Sequence, residues 1–317
     1  MLSAIEGVLS IILMIALGFA LAKRGWFKGD SSALLSRLVV GVALPAYMVA
    51  NLMGGYDCEK LVSMLPGLPI PFAVMLISYG LALALVAILR IRRDRRGTFA
   101  SMFALSNTIF VGLPVNIALF GGESLPYVLL YYIANTSLFW TIGVFGIASD
   151  GAALSGRSRP KLFSLESLKR IFSPPLTAFL ASVLLILLGV HLPKIALDFC
   201  KTAGAMTTPL SMLFIGIVIS RVEWKKIRLE RDLVVVLVGR FLVAPCLLVL
   251  LVRPTALPFL MKQVFFVQAA MPAMTQTPII ASAYGADSEY AGLGTALTTV
   301  LSLATIPLCM LVVGQLF

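Results

Sequence analysis

Long apolar runs separated by short polar clusters dominate the chain. Ten runs lie near residues 4–22, 34–53, 65–89, 98–120, 125–148, 174–192, 203–220, 232–252, 257–284 and 290–316. An α-helix needs roughly 20 apolar residues to cross a hydrocarbon layer of about 30 Å. Each run therefore predicts one membrane-crossing helix, and the runs are numbered here as segments 1 to 10. Segment 1 has no basic residue before it and Lys23 and Arg24 after it, the reverse of a cleavable signal peptide. It is expected to stay as a retained first span. Little sequence remains for a soluble domain.

The pattern repeats with a constant offset of 164 residues. Pro45 pairs with Pro209, Pro114 with Pro278, Gly25 with Gly189, Met48 with Met212, Gly121 with Gly285 and Ser124 with Ser288, and Glu123 falls opposite Asp287. The stretch from Pro114 to Ser124 aligns without a gap on Pro278 to Ser288. Five spans per copy is an odd number, so the second copy enters the membrane from the opposite face, as in the inverted repeats of secondary transporters. The expected fold is an all-α integral membrane protein of two inverted five-helix repeats, with segments 4 and 9 broken and crossing. The first repeat covers 1–148 and the second 174–317, joined by a cytoplasmic linker over 149–173.

Composition agrees with this class. The chain is 60% hydrophobic and 12% charged, with a mean hydropathy of +1.01, far too apolar for a soluble domain. The net charge of +11 does not point to nucleic acid, because it is arranged by loop. Of the 25 Lys and Arg, 19 flank the 1–2, 3–4, 5–6 and 7–8 connections. The positive-inside rule places those connections in the cytoplasm and both termini outside it. The 9–10 connection departs from the pattern, carrying Asp287 and Glu289 on the expected cytoplasmic side.

Candidate chemistry sits where helices are expected to break. Proline removes a backbone donor and clashes with the preceding turn, and in lipid a freed backbone group survives only inside protein or beside a wet cavity. Segment 4 carries Asn107, Thr108, Pro114 and Asn116, and segment 9 carries Thr275, Gln276, Thr277 and Pro278. If both unwind and cross, two half-helix N-termini meet near the midplane, and their partial positive charges favour an anion. The alternative is a pair of kinked helices whose Ser, Thr and Asn side chains bond back to the backbone or to neighbours. Pro45 and Pro209 form the second pair; few polar groups surround Pro45, and a kink without ligand contact is the reading there.

Arg240 is the one basic residue deep within a span. It is either a functional charge or a snorkelling side chain, and Lys262 is either a second charge attractor or an interfacial anchor. His191 reads as a surface residue. Asn135 and Thr136 in segment 5 match Thr299 across the repeat offset and either line the cavity or tie helices together. The four cysteines form no metal or redox spacing, and Cys58 and Cys200 fall on one face, where a disulfide is allowed. No intramembrane carboxylate pair, hydrolase constellation or phosphate-binding loop is present. No enzyme, metal or cofactor is expected, which leaves transport.

The stretch Ser106-Asn107-Thr108-Ile109-Phe110-Val111-Gly112-Leu113-Pro114 resembles the fourth-helix signature of the auxin efflux carrier family. Gln268-Ala269-Ala270-Met271-Pro272 through Pro278, with Ala283-Tyr284-Gly285, is similar to its ninth. The resemblance covers nearly the whole chain, and the short linker makes it closest to bacterial-type members. It implies secondary transport of a small organic anion such as a carboxylate across the plasma membrane, the inner membrane in a bacterium. It also implies a scaffold of segments 1, 2, 6 and 7, an elevator-like transport domain of segments 3–5 and 8–10, and a homodimer joined through the scaffolds. On the same resemblance Asn107 matches a substrate-contacting asparagine, and Pro114 and Pro278 match the crossover prolines. The polar Thr275-Gln276-Thr277 run departs from the family pattern and argues against auxin itself. Two alternatives are a sodium-coupled symporter resembling the bile acid family and a receptor that kept a carrier fold.

Overall fold

The computed structural model describes residues 2–27, 31–155, 172–221 and 230–317, and every regular element in them is helical. Among the described residues six helices are long and apolar enough to cross a membrane: Ala33–Gly55, Leu61–Leu89, Gly122–Leu154, Lys194–Ser220, Arg231–Val252 and Ser288–Cys309. Shorter apolar helices lie at Leu9–Lys23, Thr108–Phe120, Pro174–Leu187 and Phe259–Ala269. Large apolar side chains point outward rather than inward on several of them. Leu9, Leu13 and Leu17 form an exposed stripe on the first helix, and Leu76, Leu83 and Ile88 are exposed on the third segment. An apolar outer face of this kind suits lipid.

Segment 1 is α1 (Leu2–Lys23). Segment 2 is α2 (Ser31–Leu38) and α3 (Leu44–Gly55), joined by a π turn at Val39–Ala43. Segment 3 is α4 (Cys58–Met64) and α5 (Pro69–Leu89). Segment 4 is α6 (Arg96–Ala104) and α7 (Leu113–Phe120), separated by residues 105–107 and a π turn at Thr108–Gly112. Segment 5 is α8 (Leu125–Leu138) and α9 (Val144–Ser155), with a π turn at Phe139–Gly143. Segments 6 and 7 are α10 (Pro174–Leu187), then α11 (Lys194–Gly204) and α12 (Thr207–Ser220). Segment 8 is α13 (Arg231–Val238) and α14 (Ala244–Val252), around a π turn at Gly239–Val243. Segment 9 is α15 (Phe259–Ala269) and α16 (Thr277–Tyr284), and segment 10 is α17 (Ser288–Leu316).

Two boundaries differ most from the apolar runs. Segment 7 starts at Lys194 rather than 203, because α11 carries Lys194, Asp198 and Lys201 and is too amphipathic to read as an apolar run. Segment 5 continues to Ser155, into the stretch read as linker, and residues 156–171 of that linker lie outside the described residues. Pro209 sits within the first turn of α12, where a missing N–H leaves no helical bond unmade, whereas Pro45 directly follows the π turn that joins α2 to α3. The disulfide allowed between Cys58 and Cys200 is not formed, since both thiols are free.

Small residues set the closest helix contacts, as expected where lipid supplies no hydrophobic drive and packing must. α1 lies against α12, and a Cβ at Gly18 would fall 2.6 Å from the Leu213 carbonyl oxygen, with one at Gly216 2.3 Å from that of Ile15. α3 packs on α10 and α11, where Gly204 meets the Tyr47 backbone. α6 packs on α5 and α9, and a Cβ at Gly97 would fall 2.0 Å from the Gly146 carbonyl carbon. α16 packs on α17 and α9.

Loop contacts sort the two ends of the bundle. At one end Arg95, before α6, donates to Asp287 at 2.8 Å and to Glu230, and its guanidinium lies 4.5 Å from the centre of the Tyr290 ring. The acidic 9–10 connection therefore sits beside the basic 3–4 loop and is neutralised by it. Burial alone would raise the Asp287 carboxyl, but the Tyr290 N–H and the Arg95 guanidinium hold it below its ordinary range. At the other end the Tyr56 hydroxyl donates to the Glu123 carbonyl, and Asn51, Glu123, Lys201 and Leu260 surround one cavity of about 550 Å³.

Candidate functional site

The breaks in segments 4 and 9 meet. Residues 105–107 leave the helical region, with Leu105 at φ −107°, ψ 132° and Asn107 at φ −81°, ψ 74°. Ser106 and Ala273 form an antiparallel bridge, and the Asn107 N–H donates to the Pro272 carbonyl at 2.8 Å. Each break supplies main-chain partners that the other lacks, which satisfies groups that would otherwise be orphaned in an apolar interior.

Side chains from other helices complete the pairing. Asn135, on α8, accepts the Ser106 N–H at 3.0 Å and donates to the Ser106 carbonyl at 2.9 Å. The Thr298 hydroxyl, on α17, accepts the Ala273 N–H at 3.1 Å. Arg240 is fully buried and donates to three carbonyls: Ala269 at 2.6 Å, Met271 at 3.1 Å and Phe103 at 3.2 Å. These lie at the C-terminal ends of α15 and α6, the negative ends of both half-helices. The guanidinium neither snorkels nor faces the cavity; it caps the two helix ends that the breaks expose. Gly239, one residue earlier, lets segment 8 approach closely, since a Cβ there would fall 2.2 Å from the Phe103 ring.

The opposite, N-terminal ends face open space. Asn107 caps the π turn that leads into α7, its side-chain oxygen accepting the Phe110 N–H at 3.1 Å. Its Nδ2 is buried and has no partner. A cavity of about 70 Å³ is lined by Asn107, Thr108 and Phe110 from one break, Thr275 and Gln276 from the other, and Thr136 beside them. Roughly 10–15 Å³ of such volume holds one water, so the enclosure takes a few waters or a few ligand atoms. Among the described residues no Asp, Glu, Lys, Arg or His lines it. The Gln276 side-chain oxygen is likewise buried and unpartnered. Across the mouth, Tyr132 and Ser173 share a hydroxyl–hydroxyl bond of 2.7 Å that links segment 5 to the start of segment 6.

Asn107, Thr108, Thr275 and Gln276 thus line one cavity, whereas the other candidates stand behind it or away from it. Pro114 and Pro278 are the second residues of α7 and α16. They follow the breaks and fit the start of a helix, where no N–H is needed. Asn116 donates to the Gly112 carbonyl at 2.7 Å, and Thr277 opens α16 with its hydroxyl unpartnered. Lys262 donates to the Thr255 carbonyl at 2.7 Å, part of its own helix start rather than of the cavity. His191 is exposed.

Two side chains carry more than their sequence context suggested. Gln268 is fully buried and donates to the Thr108 carbonyl at 3.3 Å, and Gly112 leaves room for it. Asp150 accepts the Gly97 and Thr98 N–H groups at 2.9 and 2.7 Å and the Thr98 hydroxyl at 2.9 Å, capping α6. A polar residue in an apolar run signals Gln268 in retrospect, while the Asp150 cap joins residues 53 positions apart and has no local signature. Among the described residues no three His, Cys, Asp or Glu side chains gather to hold a metal ion.

Comparison with known proteins identifies the family. Residues 3–310 match the family described as membrane transport protein. An uncharacterized transporter of Methanocaldococcus jannaschii is 22% identical over 313 residues, covering 95% of this chain and 96% of its own. An uncharacterized transporter of Methanothermobacter thermautotrophicus is 25% identical over 308 residues, covering 96% of each chain. The match spans both breaks and every helix described above, so the chain is a multi-pass membrane transporter that belongs to the membrane transport protein family, the family of the auxin efflux carriers.

Proposed function

We propose that this transporter is a secondary carrier for a small organic anion, with a carboxylate bound between the two breaks. One observation carries the reading: two half-helix N-termini and the unpartnered Asn107 amide border a cavity that no carboxylate of the described residues lines. Free donors and positive helix ends favour negative charge, and a cation would meet no fixed countercharge there. Arg240 supports this indirectly. By occupying both C-terminal ends it removes the carbonyls that would compete for a cation.

Alternating access is read as an elevator-like movement. Segments 3–5 and 8–10 carry both breaks and would move together, against a scaffold of segments 1, 2, 6 and 7 that also joins a homodimer. The two repeats would be inverted, the 1–2, 3–4, 5–6, 7–8 and 9–10 connections cytoplasmic, and both termini outside the plasma membrane. The enclosed cavity and the Tyr132–Ser173 bond then correspond to a shut state, and a bulkier substrate requires that bond to open.

Counterflow in proteoliposomes, paired with currents on a solid-supported membrane, tests the reading. Labelled malate or malonate should exchange and carry negative charge, while an amine and a neutral sugar should not. Current carried only by the amine overturns the anion. A strict need for sodium supports the symporter instead, and binding without exchange supports a receptor.

A further inference from the structure

A second cavity, of about 840 Å³, lies at the end of the bundle marked by Arg95 and Asp287, between α5, the start of α6, and α9. We propose that it is a binding site for an anionic phospholipid, with the phosphate held by Arg93 and Arg96 and an acyl chain lying along α9 and α5. This goes beyond transport and does not depend on which substrate is carried.

Three observations carry it. The first is charge. Of the arginines in the loop after α5, Arg92 is paired with Asp94, and Arg95 with Asp287 and Glu230. Arg93 and Arg96, the two that line the cavity, have no carboxylate partner among the described residues. The second is the acid in the wall. Asp150 would repel a phosphate if its charge were free, but both its oxygens accept donors from Gly97 and Thr98 at the α6 N-terminus. That cap turns the carboxylate into the helix and leaves the arginines to set the local sign.

The third is the gradient of polarity along the groove. On α9 and the π turn before it, the large apolar Ile142 and Phe145 line the deeper part, Ser149 and Asp150 come a turn nearer the loop, and the other lining residues of the helix are the small Gly146, Ala152 and Ala153. Leu83 on α5 lies opposite and is exposed, six residues before the helix ends at Leu89, or about 9 Å deeper. The arginines come just past that end, at the depth where guanidinium groups meet lipid headgroups. Basic pockets between helices at the membrane edge suit anionic headgroups. A soluble anion would use the arginines but not the apolar stripe.

The site is tested on the purified full chain by native mass spectrometry after exchange from phosphatidylcholine into nanodiscs containing phosphatidylglycerol. The wild type should retain phosphatidylglycerol over phosphatidylcholine, and Arg93→Gln together with Arg96→Gln should lower that retention at least fivefold. A field contribution of roughly 1 kcal/mol per basic residue sets this scale. Because Arg96 also donates to the Ile91 carbonyl and steadies the loop, Arg93→Gln alone is the second variant and should give a partial loss with unchanged thermal unfolding. Arg92→Gln, which breaks an existing ion pair outside the cavity, should retain lipid like the wild type. Equal retention of both lipids, or retention unchanged in the double variant, overturns the proposal. Displacement of the lipid by millimolar inorganic phosphate also overturns it, since the apolar stripe would then contribute nothing.

Discussion

Replacing Arg240 by methionine keeps the length of the side chain and removes its donors. The carbonyls of Phe103, Ala269 and Met271 would then lie buried without a partner. An unsatisfied buried group costs about 1–3 kcal/mol, and such costs are not additive when the groups share one site. Removing one member of a buried charged network typically costs about 3–5 kcal/mol in total. Unfolding entropy near 2.1 cal/mol/K per residue, over 317 residues, gives roughly 670 cal/mol/K, so the expected fall in Tm is about 5–8 °C. Arg240→Lys is the sharper variant. It keeps the charge, but one compact ammonium cannot reach carbonyls on two separate helix ends as a guanidinium fork does. It should lose most of the same stability. The assay is thermal unfolding of purified protein in detergent, followed by size-exclusion chromatography, with counterflow beside it. An Arg240→Lys protein with wild-type Tm and transport would refute the capping argument, since charge alone would then suffice.

Asn107→Ala should weaken substrate binding roughly tenfold, the effect of about 1–3 kcal/mol lost at one buried partner, while lowering Tm by no more than about 3 °C through the lost Phe110 cap; isothermal titration with the transported anion checks it. Gly97→Ala should reduce folded protein severely, because the new methyl would fall 2.0 Å from the Gly146 backbone, and folded yield from size-exclusion chromatography measures this. The depressed Asp287 carboxyl stabilises the fold fully above its usual value near 3.8 and loses that contribution as pH falls through its lower folded value. Asp287→Asn should therefore lower Tm near neutrality and flatten the acid limb of a Tm-against-pH curve, so that the two curves converge in acid, and an unchanged acid limb would exclude the Arg95–Asp287 pair as its source.

The membrane class and the positions of both breaks were legible because they rest on local chemistry. Apolar runs report spans directly, and a matched pair of prolines reports an interrupted helix. What proline could not report is which side of it the chain unwinds. Pro114 and Pro278 begin helices rather than end them, and a π turn sets Asn107 a further turn back from Pro114 than the equivalent spacing in segment 9 requires. Arg240 was visible as an anomaly, but its role was not, because its partners are carbonyls 29 to 137 residues away. Backbone acceptors carry no residue identity, so no sequence pattern marks them. The same reason hid Asp150, whose partners are mostly the bare amides of another helix.

The bridge between the breaks also constrains how the protein is made. Asn107 donates to a carbonyl that is synthesised about 165 residues later, which at roughly 5–20 residues per second is a delay of about 8–33 s. Asn135 follows soon enough to cover Ser106 at both its main-chain groups, so segment 5 shelters part of the gap almost at once. The Phe103 carbonyl must wait for Arg240, and the Asn107 amide for Pro272. During that interval the nascent first half holds polar backbone in the bilayer with its lasting partners still on the ribosome. Insertion machinery or water must cover those groups until the second half arrives, so a pause or truncation between segments 5 and 9 would leave a half-made chain exposed to membrane quality control.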